Sequence, residues 1–201
     1  MRKRTDGGQS SNAERVLRAA KAVFIRDGAS TFSARRVAKE VGLSLRSVQH
    51  YYSTTEKLLA AVVDLVIQEF ELEYEELYRK LPFSAEARLL GVVDILLASN
   101  WRQDTRRVFY GLYGLGCYKK FAVKLIDRMN ARHTHHLATL IGAARSHLSE
   151  KRCMELAVIV AAILDGTMLF TGPGDERLIS KSALSQTVRA SILALLDSPV
   201  L

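Results

Sequence analysis

The sequence predicts an all-α protein of about nine helices, in which a short N-terminal three-helix module precedes a longer helical domain. Three observations carry that expectation. Apolar residues make up 48% of the 201 residues, enough to fill a packed core. They recur at spacings of three and four, the period of a helix face, and no segment reads as a strand. Only three prolines occur (Pro82, Pro173 and Pro199), so long uninterrupted helices are allowed.

Each element follows from local chemistry. Residues 1–10 are polar and contain glycine, and read as a flexible arm. Ala13, Val16, Leu17, Ala20, Val23 and Phe24 share one helix face, and Gly28 suits the left-handed position that closes such a helix. Ser33 is an N-cap for a short second helix with Val37, Ala38 and Val41 inward, and Gly42 ends it. Ser44 caps a third helix over about 45–51, whose Val48 points inward. The run Ser53-Thr-Thr-Glu56 has the form of a capping box opening a fourth helix, expected to reach about residue 81. Its inner stripe is Leu58, Val62, Leu65, Val66, Phe70, Tyr74 and Leu77, and its far face is acidic.

Pro82 breaks the chain, and Ser84 caps a fifth helix to about residue 99. Residues 100–120, with several aromatics and three glycines, read as irregular. Helices over about 121–146 and 151–170 follow, then a loop at 171–176 and a last helix over about 182–196.

Charge narrows the function classes. The net charge is +8, and residues 1–57 hold 12 Lys and Arg against 5 Asp and Glu, whereas 58–201 hold 17 against 16. A basic segment of this kind points to a polyanion, either nucleic acid or an acidic membrane. The N-terminus has charge but no following apolar stretch, so it does not read as a signal peptide. The longest apolar run, 156–164, is far short of the roughly 20 residues that span a bilayer. A soluble, cytoplasmic protein is expected.

The pattern inside the basic segment favours nucleic acid. Three short helices with a glycine turn between the second and third make a helix-turn-helix. The turn must be tight, hence Gly42, and Val37, Ala38, Leu43 and Val48 must be small or branched so that the helices cross closely. The outward residues of the third helix are then Leu45, Arg46, Ser47, Gln49 and His50. Arg, Ser, Gln and His exchange hydrogen bonds with base edges and phosphates. A membrane adaptor would instead array its cations along one amphipathic stripe.

On these residues, from Ser33 to Leu59, the segment resembles the DNA-binding signature of the TetR family of transcriptional regulators. The matching features are Val37-Ala38, the Gly42-Leu43-Ser44 turn, Tyr52 after helix three, and Glu56 and Leu58 opening helix four. Arg46, Gln49, Tyr51 and Thr55 depart from the commonest family residues, and the first three bear on which operator is read. The resemblance implies base reading by Arg46, Ser47 and Gln49. It implies phosphate contacts for Ser33, Arg35, Ser44, His50, Tyr51 and Lys57, with Leu45 and Thr55 at the same surface. Arg2, Lys3 and Arg4 form either a minor-groove arm or a solubilising tail.

The resemblance also implies a DNA-binding domain over 1–57 and a ligand-binding and dimerisation domain over 58–201. It further implies a homodimer on a palindromic double-stranded operator, and a small, apolar or aromatic effector that releases it. The apolar girth of 156–164 supports pairing independently, through Leu156, Ile159 and Ile163 with Val188, Ile192 and Leu195 of the last helix. Trp101, Phe109, Tyr110, Tyr113 and Tyr118 are either a pocket lining or core.

His133, His135, His136 and His147 lack a Cys or carboxylate at supporting spacing, so they read as a solvated cluster and no metal is expected. Cys117 and Cys153 read as free thiols. No Walker loop, GxSxG, GxGxxG opening a helix, or pair of Glu-x-x-His motifs occurs, so neither an enzyme nor a cofactor is expected.

Overall fold

The computed structural model describes residues 7–170 and 179–198. Among these the chain forms nine helices and no strand: α1 Gly7–Asp27, α2 Ala34–Val41, α3 Leu45–Tyr51, α4 Thr55–Tyr78, α5 Ala85–Asn100, α6 Gln103–Gly116, α7 Lys120–Ala144, α8 Glu150–Phe170 and α9 Lys181–Asp197. The basic residues Arg2, Lys3 and Arg4 and the expected 171–176 loop lie outside the described residues.

Caps explain most boundaries. Ser33, Ser84 and Ser180 have extended backbones, and each side-chain oxygen accepts from the N–H three residues on, in Arg36, Ala87 and Ala183. These bonds satisfy donors that the first helical turn leaves unpaired. Gly28 and Gly42 both take positive φ, the left-handed conformation expected at Gly28 and found at Gly42 as well.

Three expectations are corrected. First, α1 begins at Gly7, so the helix reaches into the stretch read as an arm. Second, α4 ends at Tyr78 and is capped by Thr54 rather than Ser53: Thr54 Oγ1 accepts from the Lys57 N–H at 3.1 Å. Both residues carry a suitable hydroxyl, and the start is set by seating Leu58, Leu59, Val62 and Val63 in the core.

Third, residues 100–120 are not irregular but hold α6. Its Val108 and Leu112, four residues apart, are buried. Arg106, also buried, donates to the carbonyls of Asn100 (3.0 Å) and Met168 (3.1 Å). Packing of this kind outweighs the roughly 1 kcal/mol that each glycine costs a helix.

The helices divide into two compact units, Met1–Glu71 with Arg107–Ile126, and Leu72–Arg106 with Asp127–Leu201. The core of the first contains Val16, Ala20, Val23 and Phe24 of α1, Val37 and Ala38 of α2, Val48 of α3, Leu58, Leu59 and Val62 of α4, and Val108 of α6. In the second, α8 packs against α5 and α9. Leu156, Val160 and Leu164 of α8 are buried, as are Val188, Ile192 and Leu196 of α9. The Asn100 side chain donates to the Leu164 carbonyl at 2.8 Å, and Arg145 bridges Glu86 and Asp197, each at 2.7 Å.

Among the described residues α8 alone is long and apolar enough, by length and composition, to cross a membrane, although its longest unbroken apolar run is short. Core helices share that property, and one face of α8 is buried in its own unit. Met154, Val158, Ile159, Leu169 and Phe170 lie exposed on the rest of its surface.

Candidate nucleic-acid interface

The candidate interface is assembled on α2, the turn and α3. The φ of Gly42 is 70°, and a Cβ there would meet no atom within 4 Å. Backbone conformation, not space, therefore requires glycine. The N–H groups of Gly42 and Leu43 both point back to the Ala38 carbonyl, the latter at 3.0 Å, which reverses the chain within two residues. Ser44 then starts α3: its Oγ accepts from the Ser47 N–H at 3.0 Å and lies 2.8 Å from Ser47 Oγ.

Val48 anchors α3 with no exposed surface, in the same core as Val37 and Ala38. Arg46, Gln49 and His50 are exposed, and their spacing of three and four puts them along one side of the helix. Ser47 is half-buried beside its cap. Leu45, expected outward, instead packs against the core, because it lies three residues before Val48 and shares its face. Tyr51 and Tyr52 also pack against that core; His50 meets the Tyr51 ring edge-on at 5.3 Å, and burial pushes the Tyr52 phenol up.

The cations of this module fall into two groups. Arg26 bonds both Asp27 and Glu40, and Arg36 Nε donates to Asp27 Oδ2 at 2.8 Å, so these arginines tie the end of α1 to α2. The Arg26 guanidinium, then that of Arg36, holds the Asp27 carboxyl down at about 2, and Arg26 likewise lowers Glu40. Arg35, Arg46 and Lys57 are exposed, and among the described residues no carboxylate lies within ion-pair distance of them. Ser33, Arg35, Ser44, Arg46, Ser47, Gln49, His50, Tyr51, Thr55 and Lys57 all fall in the first compact unit.

The aromatic residues considered as a pocket lining are not gathered in one unit. Trp101 belongs to the second unit, where the Lys181 ammonium lies 5.6 Å from its ring. Phe109, Tyr110, Tyr113 and Tyr118 belong to the first; Phe109 stacks on Tyr113, and the three tyrosines are exposed. Of the histidines, His135 and His147 are exposed as expected, whereas His133 and His136 are partly buried. His136 bonds the Tyr74 hydroxyl, and burial lowers the pKa of both His133 and His136. No group of three metal-ligating side chains occurs among the described residues.

Of the residues expected at a dimer contact, Leu156, Val188 and Ile192 are buried within the protomer. Ile159 is 43% exposed, and Ile163 and Leu195 are half-buried.

A three-helix unit with an αL turn, a buried anchor on its third helix and unpaired polar side chains beside it defines a helix-turn-helix protein. Residues 16–62 match the family described as bacterial regulatory proteins, tetR family. Over 44 residues it is 48% identical to the HTH-type transcriptional regulator PksA of Bacillus subtilis (strain 168), a match spanning 22% of each protein.

Similarity of fold extends much further. A putative transcriptional regulator from Pseudomonas aeruginosa PAO1 superposes with a TM-score of 0.80 at 16% identity, covering 93% of this chain and 91% of that one. A putative transcriptional regulator from Saccharomonospora viridis, solved in complex with choline, gives 0.76 at 18% identity, covering 92% and 96%. At such identities these likenesses establish the fold alone.

Proposed function

We propose that the chain is a DNA-binding transcriptional regulator, a repressor that binds a palindromic operator as a homodimer and is released by a small apolar or aromatic effector. The observation that carries this reading is the exposure of Arg46 and Gln49 on a helix held by the buried Val48. A helix braced in this way presents bidentate donors and acceptors to the edges of bases in the major groove. Arg35, Ser44, His50 and Lys57, with the N-terminus of α4, would hold phosphates and set the register. No catalytic role is assigned to any residue, and the site of action is the cytoplasm.

In this reading residues 1–57 bind DNA and 58–201 form the sensing and pairing domain. Pairing is supported by the exposed apolar side of α8, with Ile159, Ile163 and Leu195 available to a second copy and Leu156, Val188 and Ile192 holding the two helices together within each protomer. Two copies would present two α3 helices to half-sites about one helical turn apart, roughly 34–36 Å or a multiple of it. The effector is supported at the level of fold, by the relative solved with choline. A ligand acts only through its differential affinity for the two states, typically about 1–3 kcal/mol of coupling.

Selection of bound duplexes from a random pool tests the reading. Recovery of one palindrome, whose binding weakens steeply with salt, is the expected result. Recovery of no sequence preference by a folded protein defeats it.

A further inference from the structure

Folding redistributes the charge in a way that linear counting conceals. The first compact unit carries 16 Lys and Arg against 8 Asp and Glu, and the second carries 13 of each. The whole excess of +8 therefore resides in the unit that contains α1, α2 and α3. Half of it comes from residues 107–126, where Arg107, Lys119, Lys120 and Lys124 occur with no Asp or Glu.

This segment is held firmly. Val108 lies in the same buried cluster as Val37 and Val48, and Leu115 and Phe121 pack against that cluster. The Lys119 carbonyl accepts from the N–H groups of Ala122 (3.0 Å) and Val123 (3.3 Å), which starts α7. Arg107 is used internally, donating to the Ile25 carbonyl at 3.4 Å. Lys119, Lys120 and Lys124 are exposed, with no ion-pair partner among the described residues, and the neighbouring Tyr118 is 87% exposed. Three like charges close together in the chain repel one another, and exposed Asp127, one turn after Lys124, offsets only part of that cost, which a polyanionic partner removes.

We propose that the α6–α7 corner formed by Tyr118, Lys119, Lys120 and Lys124 is a second DNA-backbone contact, gripping phosphates away from the bases that α3 reads. The inference rests on the DNA-binding reading of α3 and adds an electrostatic surface to it. Lysine ammonium groups act on phosphates as point charges, and a tyrosine hydroxyl can donate to them; neither carries sequence information in that role.

The test uses the full chain with Lys119→Gln, Lys120→Gln and Lys124→Gln combined. Affinity is measured against salt concentration on a duplex bearing the selected palindrome and on a scrambled duplex of equal length. Both complexes should weaken by a similar factor, on the order of tenfold near 0.1 M salt, with the palindrome preference kept. The slope of log affinity against log salt should become shallower by about 0.9 for each phosphate that is no longer neutralised. The corresponding triple Lys→Arg variant should behave as wild type, and thermal unfolding reports whether either variant is folded.

Unchanged affinity and slope in the folded Gln variant overturn the proposal. So does loss of binding to phosphatidylserine vesicles with DNA binding intact. A wild type that prefers no duplex defeats the α3 reading instead, so the two failures are distinguishable.

Discussion

Gly111 of α6 approaches Phe24 of α1 so closely that a Cβ placed on it would lie 3.0 Å from Phe24 Cζ and 3.5 Å from the Ala29 methyl. Phe24 is itself fully buried and meets the Phe32 ring edge-on at 5.7 Å, which leaves it little room to yield. Gly111→Leu should therefore destabilise the protein by about 1–3 kcal/mol. In a chain of this size that lowers Tm by about 2–4 °C for each kcal/mol. A melting curve at or above the wild-type temperature would show that this contact is not tight.

Gly42 makes a different kind of demand. Space around it is free, so Gly42→Ala suffers only from its left-handed backbone, at roughly 1–2 kcal/mol. Asn tolerates that conformation better, so Gly42→Asn should lose less. Denaturant unfolding of the two variants checks the order, and equal losses would point to packing instead.

Arg46 and Lys57 should fail in different ways. Arg46→Ala should cost about 1–3 kcal/mol on the selected palindrome and relax preference at one base pair. Lys57→Ala should weaken all duplexes nearly equally and make the salt slope shallower by about 1. Titrations against single-base operator variants separate these signatures; a preference that survives Arg46→Ala intact removes Arg46 from base reading.

Ile159 and Ile192 separate association from folding. Ile159, on the exposed side of α8, should yield a folded monomer when changed to Glu. Ile192 is fully buried, and Ile192→Ala should cost about 2–5 kcal/mol of stability through the cavity it leaves. Light scattering and thermal unfolding on both variants give the readout, and a dimeric Ile159→Glu protein rules this face out as the contact.

Asp165 and Asp27 shift in opposite directions. Burial pushes the Asp165 carboxyl up to about 6, so the folded chain retains a proton that the unfolded chain releases near 3.9. That contribution is complete below about pH 4 and is lost as pH rises through 6. Asp165→Asn cannot ionise, so its stability relative to wild type should grow across that window, by roughly 2 kcal/mol. Asp27, held at about 2 by Arg26 and Arg36, contributes stability above about pH 4 that disappears as pH falls through 2. Melting temperatures of Asp165→Asn and wild type between pH 4 and 7 decide the first case; a constant difference contradicts it.

Much of the fold is legible because its signals are local. Ser33, Gly42 and Ser44 act within three or four residues of themselves, and the structure places them as the sequence predicts. The candidate interface is largely legible too, since Val48 going inward sends Arg46 and Gln49 outward. Leu45 escapes that logic, because a residue at the first helical position can turn toward the core that its neighbour occupies.

The α6 helix is not legible, because glycines and aromatics in 100–120 carry little local helix preference. Its stability comes from partners distant in sequence, among them Phe24, Met168 and the core of the first unit. The choice of Thr54 over Ser53 as cap is likewise settled by the seating of Leu58.

The sequence alone determined the helical class, the helix-turn-helix and the chemistry displayed on its third helix, because periodicity, caps and turns are short-range properties. Only the tertiary structure decided that residues 107–126 join the unit holding that motif, bringing four further cations with them. Such pairing depends on complementary shapes between Phe24, Gly111, Leu115 and Phe121, and shape complementarity between segments some eighty residues apart leaves no periodic trace along the chain.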